Sequence, residues 1–326
     1  MSSPPTDQEL SELLADGREA YIISRQPYRY ATSSPLEELH VHIGGCKLAV
    51  IFKDLSRERL IGDARATKPA FLHEPAREIE TYSRILAPAE LGPRLVAAVT
   101  QPDPPRHWLV LEKVPGVELW QVGDVQVWEA VAAWLGGFHA RFETGLAAIR
   151  SANPRLLEYS TAWFQFTCQR ARTALDSISD RRAPVLIRAL RRYDEVISAI
   201  VALPRAFVHG EFYPSNVLVV TGEHPLRVCP VDWEMAGIGP GLLDLAALVG
   251  GWGHAERDRL ADAYVRGLGH PDRAARVGSL HAELGSCRLH LALQWHGWST
   301  RWCPPPEHAH DWLGEALELT AALGLA

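Results

Sequence analysis

The chain has 326 residues and a formal charge of -6, from 39 acidic against 33 basic side chains. That length can bury a substantial core, as one large domain or as two lobes sharing a cleft, and the acidic balance offers no surface for a phosphate backbone, which sets nucleic acid aside as a main partner. Five dispersed cysteines without close pairs set aside a disulfide scaffold and a four-thiolate metal site, and neither a secretory leader nor a bilayer-spanning apolar run is read, so a cytoplasmic protein that does not engage membranes is expected.

Along the chain, residues 10–22 are read as a short leading helix. Leu36 to Ile43 and Cys46 to Lys53 flank Gly44-Gly45 and predict a hairpin that puts Lys53 near a strand end. Glu74 to Leu86 has helical spacing, with Ile79, Tyr82, Ile85 and Leu86 on one side and Glu78 near it. Pro88, Gly92 and Pro93 interrupt this helix, and Arg94–Thr100 and His107–Leu111 follow as strands around a proline-rich turn. A long helix is predicted over Val125–Phe142, although Gly136-Gly137 lie near its end, and helices dominate through Ile200. Ala206–Val208, Val217–Val220 and Leu226–Val231 read as short strands, the last weakened by Pro230, and they can return Asn216 and Asp232 to one edge. From Leu242 the chain is helical again. The sum is an α+β fold: a strand-rich lobe over 1–112, a proline and glycine hinge at 113–116, and a larger, mainly helical lobe over 117–326.

The chemistry concentrates in His209-Gly210-Glu211-Phe212-Tyr213-Pro214-Ser215-Asn216 and in the later Asp232-Trp233-Glu234. A proton acceptor, an amide ligand and a second carboxylate around two short apolar segments suit magnesium and phosphates held against an acceptor hydroxyl. Asp232 is a hard anionic ligand, Asn216 adds an oxygen without another full charge, Lys53 offers an ammonium group, and Glu78 can orient it. A doubly wound dinucleotide fold fits less well, because no Gly-x-Gly-x-x-Gly follows an early strand, and sequence spacing does not establish the facing carboxylates of a glycosidase.

These two segments, with Gly239-Pro240-Gly241-Leu242-Leu243-Asp244-Leu245-Ala246, resemble the aminoglycoside phosphotransferase family. With Lys53 and Arg77-Glu78-Ile79-Glu80-Thr81-Tyr82 as amino-terminal counterparts, the resemblance covers most of the chain. It implies a two-lobed, protein-kinase-like architecture and transfer of the ATP terminal phosphoryl group to a hydroxyl of a small molecule, an antibiotic or related metabolite. By the same resemblance Lys53 contacts the nucleotide phosphates and pairs with Glu78, while Glu112, Lys113 and Val114 offer backbone contacts to the purine. Asn216 and Asp232 hold Mg2+, Glu211 receives the acceptor proton, and His209 organises the loop. Glu211 departs from the family, which carries aspartate there, and the added methylene shifts its oxygens on a scale that matters to alignment. Two other readings therefore stand beside the enzyme: a nucleotide-binding pseudokinase with a regulatory role, and a non-catalytic small-molecule binder.

Bland readings apply elsewhere. Asp244 is expected to cap a helix or touch the catalytic loop, His139 to pack and hydrogen-bond, and Glu234 to be either a surface carboxylate or a further metal or loop-organising group. His40-x-His42, and Cys303 with His308 and His310, lack a structural-zinc spacing. Trp295, Trp298, Trp302 and Trp312 serve packing or line an acceptor pocket.

Overall fold

The computed structural model describes residues 4–28, 33–62, 64, 68, 72–103, 105–223, 225–269, 273–298 and 310–325. Contacts divide the chain into two units: Met1–Val117 with Arg150–Arg155 and Leu218–Met235, and Glu118–Ile149 with Leu156–Val217 and Ala236–Ala326.

The first unit opens with α1 (Asp7–Ala15), where Thr6 and Glu9 form a reciprocal capping box. It is shorter and earlier than the leading helix expected over 10–22. Left-handed Asp16 and Gly17 end it, and Tyr21, Ile22 and Ile23 then take the extended form that aromatic and β-branched side chains favour. Strands β1 (Ala20–Pro27), β2 (Leu36–Ile43), β3 (Cys46–Asp54), β4 (Leu95–Pro102) and β5 (Pro105–Glu112) make one sheet in the order β1-β2-β3-β5-β4. Gly44 and Gly45, with φ of 57° and 89°, make the tight β2–β3 turn and fix a register that pairs Leu36 with Lys53. Leu39, Val41, Ile43, Val50, Phe52, Trp108 and Val110 pack one sheet face onto Leu10 and Leu14 of α1. Because side chains alternate along a strand, Phe52 on the packed face sends Lys53 to the other.

Helix α2 (Pro75–Thr81) starts with Glu74 as its cap and Pro75 in the first turn, and runs into a π turn over Tyr82–Leu86. Its apolar stripe is buried as expected. A three-stranded sheet, β10 (Arg227–Pro230), β9 (Val217–Val220) and β6 (Val117–Glu118), belongs to this unit except for the boundary residues Glu118 and Val217.

The helices after β6 are α3 (Val125–Glu143), α4 (Leu146–Ala152), α5 (Thr161–Asp176), α6 (Ala183–Ala189), α7 (Tyr193–Val201), α8 (Leu242–Leu248), α9 (His254–Leu268), α10 (Arg273–Trp298) and α11 (Trp312–Ala322). All but the end of α4 belong to the second unit. Gly136 of α3 and Gly267 of α9 mark a close crossing: a Cβ would lie 2.1 Å from the Tyr264 carbonyl oxygen at the first and 1.9 Å from that of Ala133 at the second. A small sheet places β11 (Gly237–Pro240) parallel to β7 (Leu157–Glu158) and antiparallel to β8 (Arg205–Val208). Strands β7 and β11 have no sequence signal, being two residues long and glycine-rich respectively. The missing side chains at Gly237 and Gly239 admit the Tyr159 side chain against β11. Among the described residues no helix is long and apolar enough to cross a membrane.

Candidate functional site

In the first unit, Lys53 at the end of β3 is 9% exposed, and its Nζ donates to Glu78 Oε2 at 2.7 Å and to Asp232 Oδ1 at 2.5 Å. The capped start of α2 and its packed stripe carry Glu78 inward, to 1% exposure. Burial opposes the Lys53 charge, but Asp232 and Glu78 together hold it above the usual lysine value. Burial pushes the Glu78 carboxyl up, and Asp232 and Glu234 add to this against the pull of Lys53. Asp232 has φ of 66°, a left-handed backbone that a non-glycine residue adopts at a cost and that turns the chain sharply after β10.

The three residues expected to face a purine divide. The Glu112 N–H donates to the Arg94 carbonyl at 2.9 Å and the Lys113 N–H to that of Ala49 at 3.1 Å, so both are used within the sheet. Among the described residues the Val114 N–H has no backbone acceptor. The Glu112 carboxylate accepts two bonds from Arg227, at 2.9 and 2.7 Å, and Arg227 holds it below the usual range. Lys113 Nζ donates to Glu38 at 2.6 Å.

In the second unit, β8 delivers the chain into the His209–Asn216 loop. Asp244 in α8 is fully buried and accepts from the His209 N–H at 2.7 Å and the Gly210 N–H at 2.8 Å. His139 lies 3.2 Å from the same carboxylate through Nε2 and 2.9 Å from the Tyr264 hydroxyl through Nδ1. The Glu211 N–H donates to His209 Nδ1 at 3.2 Å, so that nitrogen serves as an acceptor. The Glu211 carbonyl accepts from Asn216 Nδ2 at 3.0 Å and the Tyr213 N–H at 2.7 Å. Phe212, nearly fully buried, stacks on Trp134 and meets His209 edge-on.

Contacts place Asn216 with the second unit and Asp232 with the first. The donor types suit magnesium: carboxylate and amide oxygens are hard ligands, and the bond from Asn216 Nδ2 leaves Oδ1 to serve as the ligand atom. Lys53 pairs with Glu78 and Asp232, and Lys68 pairs with Glu234. Among the described residues no three His, Cys, Asp or Glu side chains are grouped to hold a metal.

Trp295 stacks on Trp312 with centroids 5.6 Å apart, and Tyr213 leans on Trp295 at 5.3 Å, while Trp302 and the Trp298 side chain lie outside the described residues. His42 stacks on Tyr21, His40 pairs with Glu38, and His310 pairs with Glu315, whereas Cys303 and His308 lie outside the described residues. Sequence reasoning missed a role for Arg77, which bonds the carbonyls of Arg155 (2.8 Å), Leu72 (3.0 Å) and Glu234 (2.8 Å). No local pattern marks it, because its partners are backbone carbonyls that tertiary folding brings to it.

Residues 57–278 match the model of the phosphotransferase enzyme family. Among solved structures, choline kinase LicA from Streptococcus pneumoniae is 13% identical with a TM-score of 0.62, covering 97% of each chain. Plasmodium vivax ethanolamine kinase is 14% identical with a TM-score of 0.58, covering 92% of this chain and 81% of its own. Wild-type aminoglycoside 2'-phosphotransferase-IIIa in its GDP complex is 15% identical with a TM-score of 0.55, covering 92% of each. At these identities the likeness is one of fold: an amino-terminal antiparallel sheet followed by a mostly helical region, the kinase-like arrangement. No curated protein matches the sequence.

Proposed function

The chain belongs to the phosphotransferase enzyme family, and on that footing we propose that it transfers the terminal phosphoryl group of ATP to a hydroxyl of a small molecule with the help of magnesium. Membership implies a small-molecule kinase that uses a nucleotide, and the donor, the metal and the residue roles are our reading. The observation that carries it is the Lys53 ammonium held between Glu78 and Asp232. An ammonium group buried this deeply adds less to stability than apolar packing of the same volume, so a functional demand accounts for it better than a structural one.

In this reading Lys53, kept charged and aimed by Glu78, offsets charge on the nucleotide phosphates. The Val114 N–H is the proposed backbone donor to the base. Asp232 and Asn216 are the residues that would hold magnesium, which when bound would supply positive charge to the phosphate oxygens. Glu211 accepts the acceptor's proton, and its longer side chain is supported by a backbone fixed on both sides, by Asp244 and His209 before it and by Asn216 after it. Hydroxylated amines head the acceptor list, since the similar structures are named for choline, ethanolamine and aminoglycosides.

The test is an acceptor panel of these compounds with ATP and magnesium, read by mass spectrometry. A phosphorylated product from at least one acceptor is expected. Glu211 favours one other reading, a nucleotide-binding protein without transfer, which tight ATP binding with no product from any acceptor would establish.

A further inference from the structure

We propose that Lys68 is a second ligand for nucleotide phosphates, an ammonium group that Glu234 holds beside the Lys53 cluster. This rests on the phosphotransferase reading and concerns the first unit alone. The Lys68 side chain is 4% exposed and its Nζ donates to Glu234 Oε2. Glu234 lies two positions beyond Asp232, and Arg77 of α2 fixes its backbone through the carbonyl. Consecutive residues of one helix thus anchor both halves of the cluster: Arg77 holds Glu234, and Glu78 holds Lys53.

Lys53 pairs with Glu78 and Asp232, and Lys68 with Glu234, two positions further along the same loop. Burial, with Lys68 close by, pushes His73 down to about 4, so His73 stays neutral and adds no charge to the group. Three carboxylates against two ammonium groups, with one divalent ion added, leave a single positive charge. Without Lys68 the same set loses one positive charge and attracts a polyphosphate less. Were neutralising Glu234 the whole role of Lys68, an uncharged pair at these positions would serve the fold as well or better.

Calorimetric titration of the full chain with adenosine, AMP, ADP and ATP in magnesium tests the proposal. The proteins are wild type, Lys68→Met, Lys68→Arg, Glu234→Gln and the Lys68→Met/Glu234→Gln double variant. Lys68→Met should weaken ATP about tenfold or more, the loss should shrink from ATP to AMP and vanish for adenosine, and Lys68→Arg should keep most of the affinity. Removing Lys68 should still weaken ATP when Glu234→Gln is already present, and that double variant, which leaves no unpaired buried charge, reports even if Lys68→Met alone does not fold. Unchanged ATP binding, an equal loss for all four ligands, or a double variant that matches Glu234→Gln each overturns the proposal. Wild type that binds none of the four removes the phosphotransferase reading together with it, whereas a failure confined to the Lys68 variants leaves that reading standing.

Discussion

Glu211 sits on a backbone held at its N–H by His209 and at its carbonyl by Asn216 and Tyr213, contacts that the isosteric Glu211→Gln keeps. Glu211→Gln should lower kcat by about a hundredfold or more while ATP affinity stays within about twofold, as checked by steady-state kinetics and nucleotide titration. Wild-type turnover in a folded variant would remove the proton-acceptor role. Asp244→Ala leaves two buried N–H groups and His139 without their acceptor, and should cost about 2–4 kcal/mol in urea unfolding. The loop, Asp232, Lys53 and Glu78 were legible in the sequence because they carry chemistry at recognisable spacing, and the contact of Asp244 with the loop was among the expectations. Arg77 and Lys68 were not, because Arg77 bonds backbone carbonyls and Lys68 a carboxylate, all placed by tertiary folding without a local pattern.

Among the elements, α3 shows how a weak sequence signal changes meaning once packing is known. Gly136 reads as a flaw near a helix end, yet it and Gly267 allow the backbones of α3 and α9 to touch. Gly267→Ala should therefore destabilise the protein by about 2–3 kcal/mol, measured by thermal or urea unfolding, although alanine is the better helix former. An unchanged midpoint would show that the crossing has slack. In α10, His290 is buried against Phe164, its Nδ1 lies 3.1 Å from the Tyr193 hydroxyl, and burial pushes it down to about 3. The unfolded chain protonates this residue near pH 6.5 and the folded one only near 3, so stability is full above that window and is lost as pH falls through it, by up to about 1.4 kcal/mol per pH unit. His290→Leu should flatten this acid limb in unfolding titrations from neutral pH downward. Long periodic helices and the glycine hairpin were readable from local pattern, whereas β7 and β11 depended on partners distant in sequence.

For the molecule as a whole, the kinase-like order of sheet and helices was legible because strand alternation and helical periodicity change character along the chain. The return of Arg150–Arg155 and Leu218–Met235 to the first unit rests on tertiary contacts: Arg155 with Glu80 at 2.7 Å, Asn153 with the Arg77 carbonyl at 2.9 Å, and Arg227 with Glu112. Through that return Asp232 reaches Lys53, the contact from which the proposed residue roles are argued. The central claim is tested most directly by following ATP labelled in its terminal phosphoryl group, with magnesium and the hydroxylated amines, in wild type and Asp232→Ala. Label should pass to an organic acceptor in wild type and do so far less in a folded Asp232→Ala protein. Label that stays in ATP or passes only to inorganic phosphate with every acceptor, while ATP binds, would contradict it.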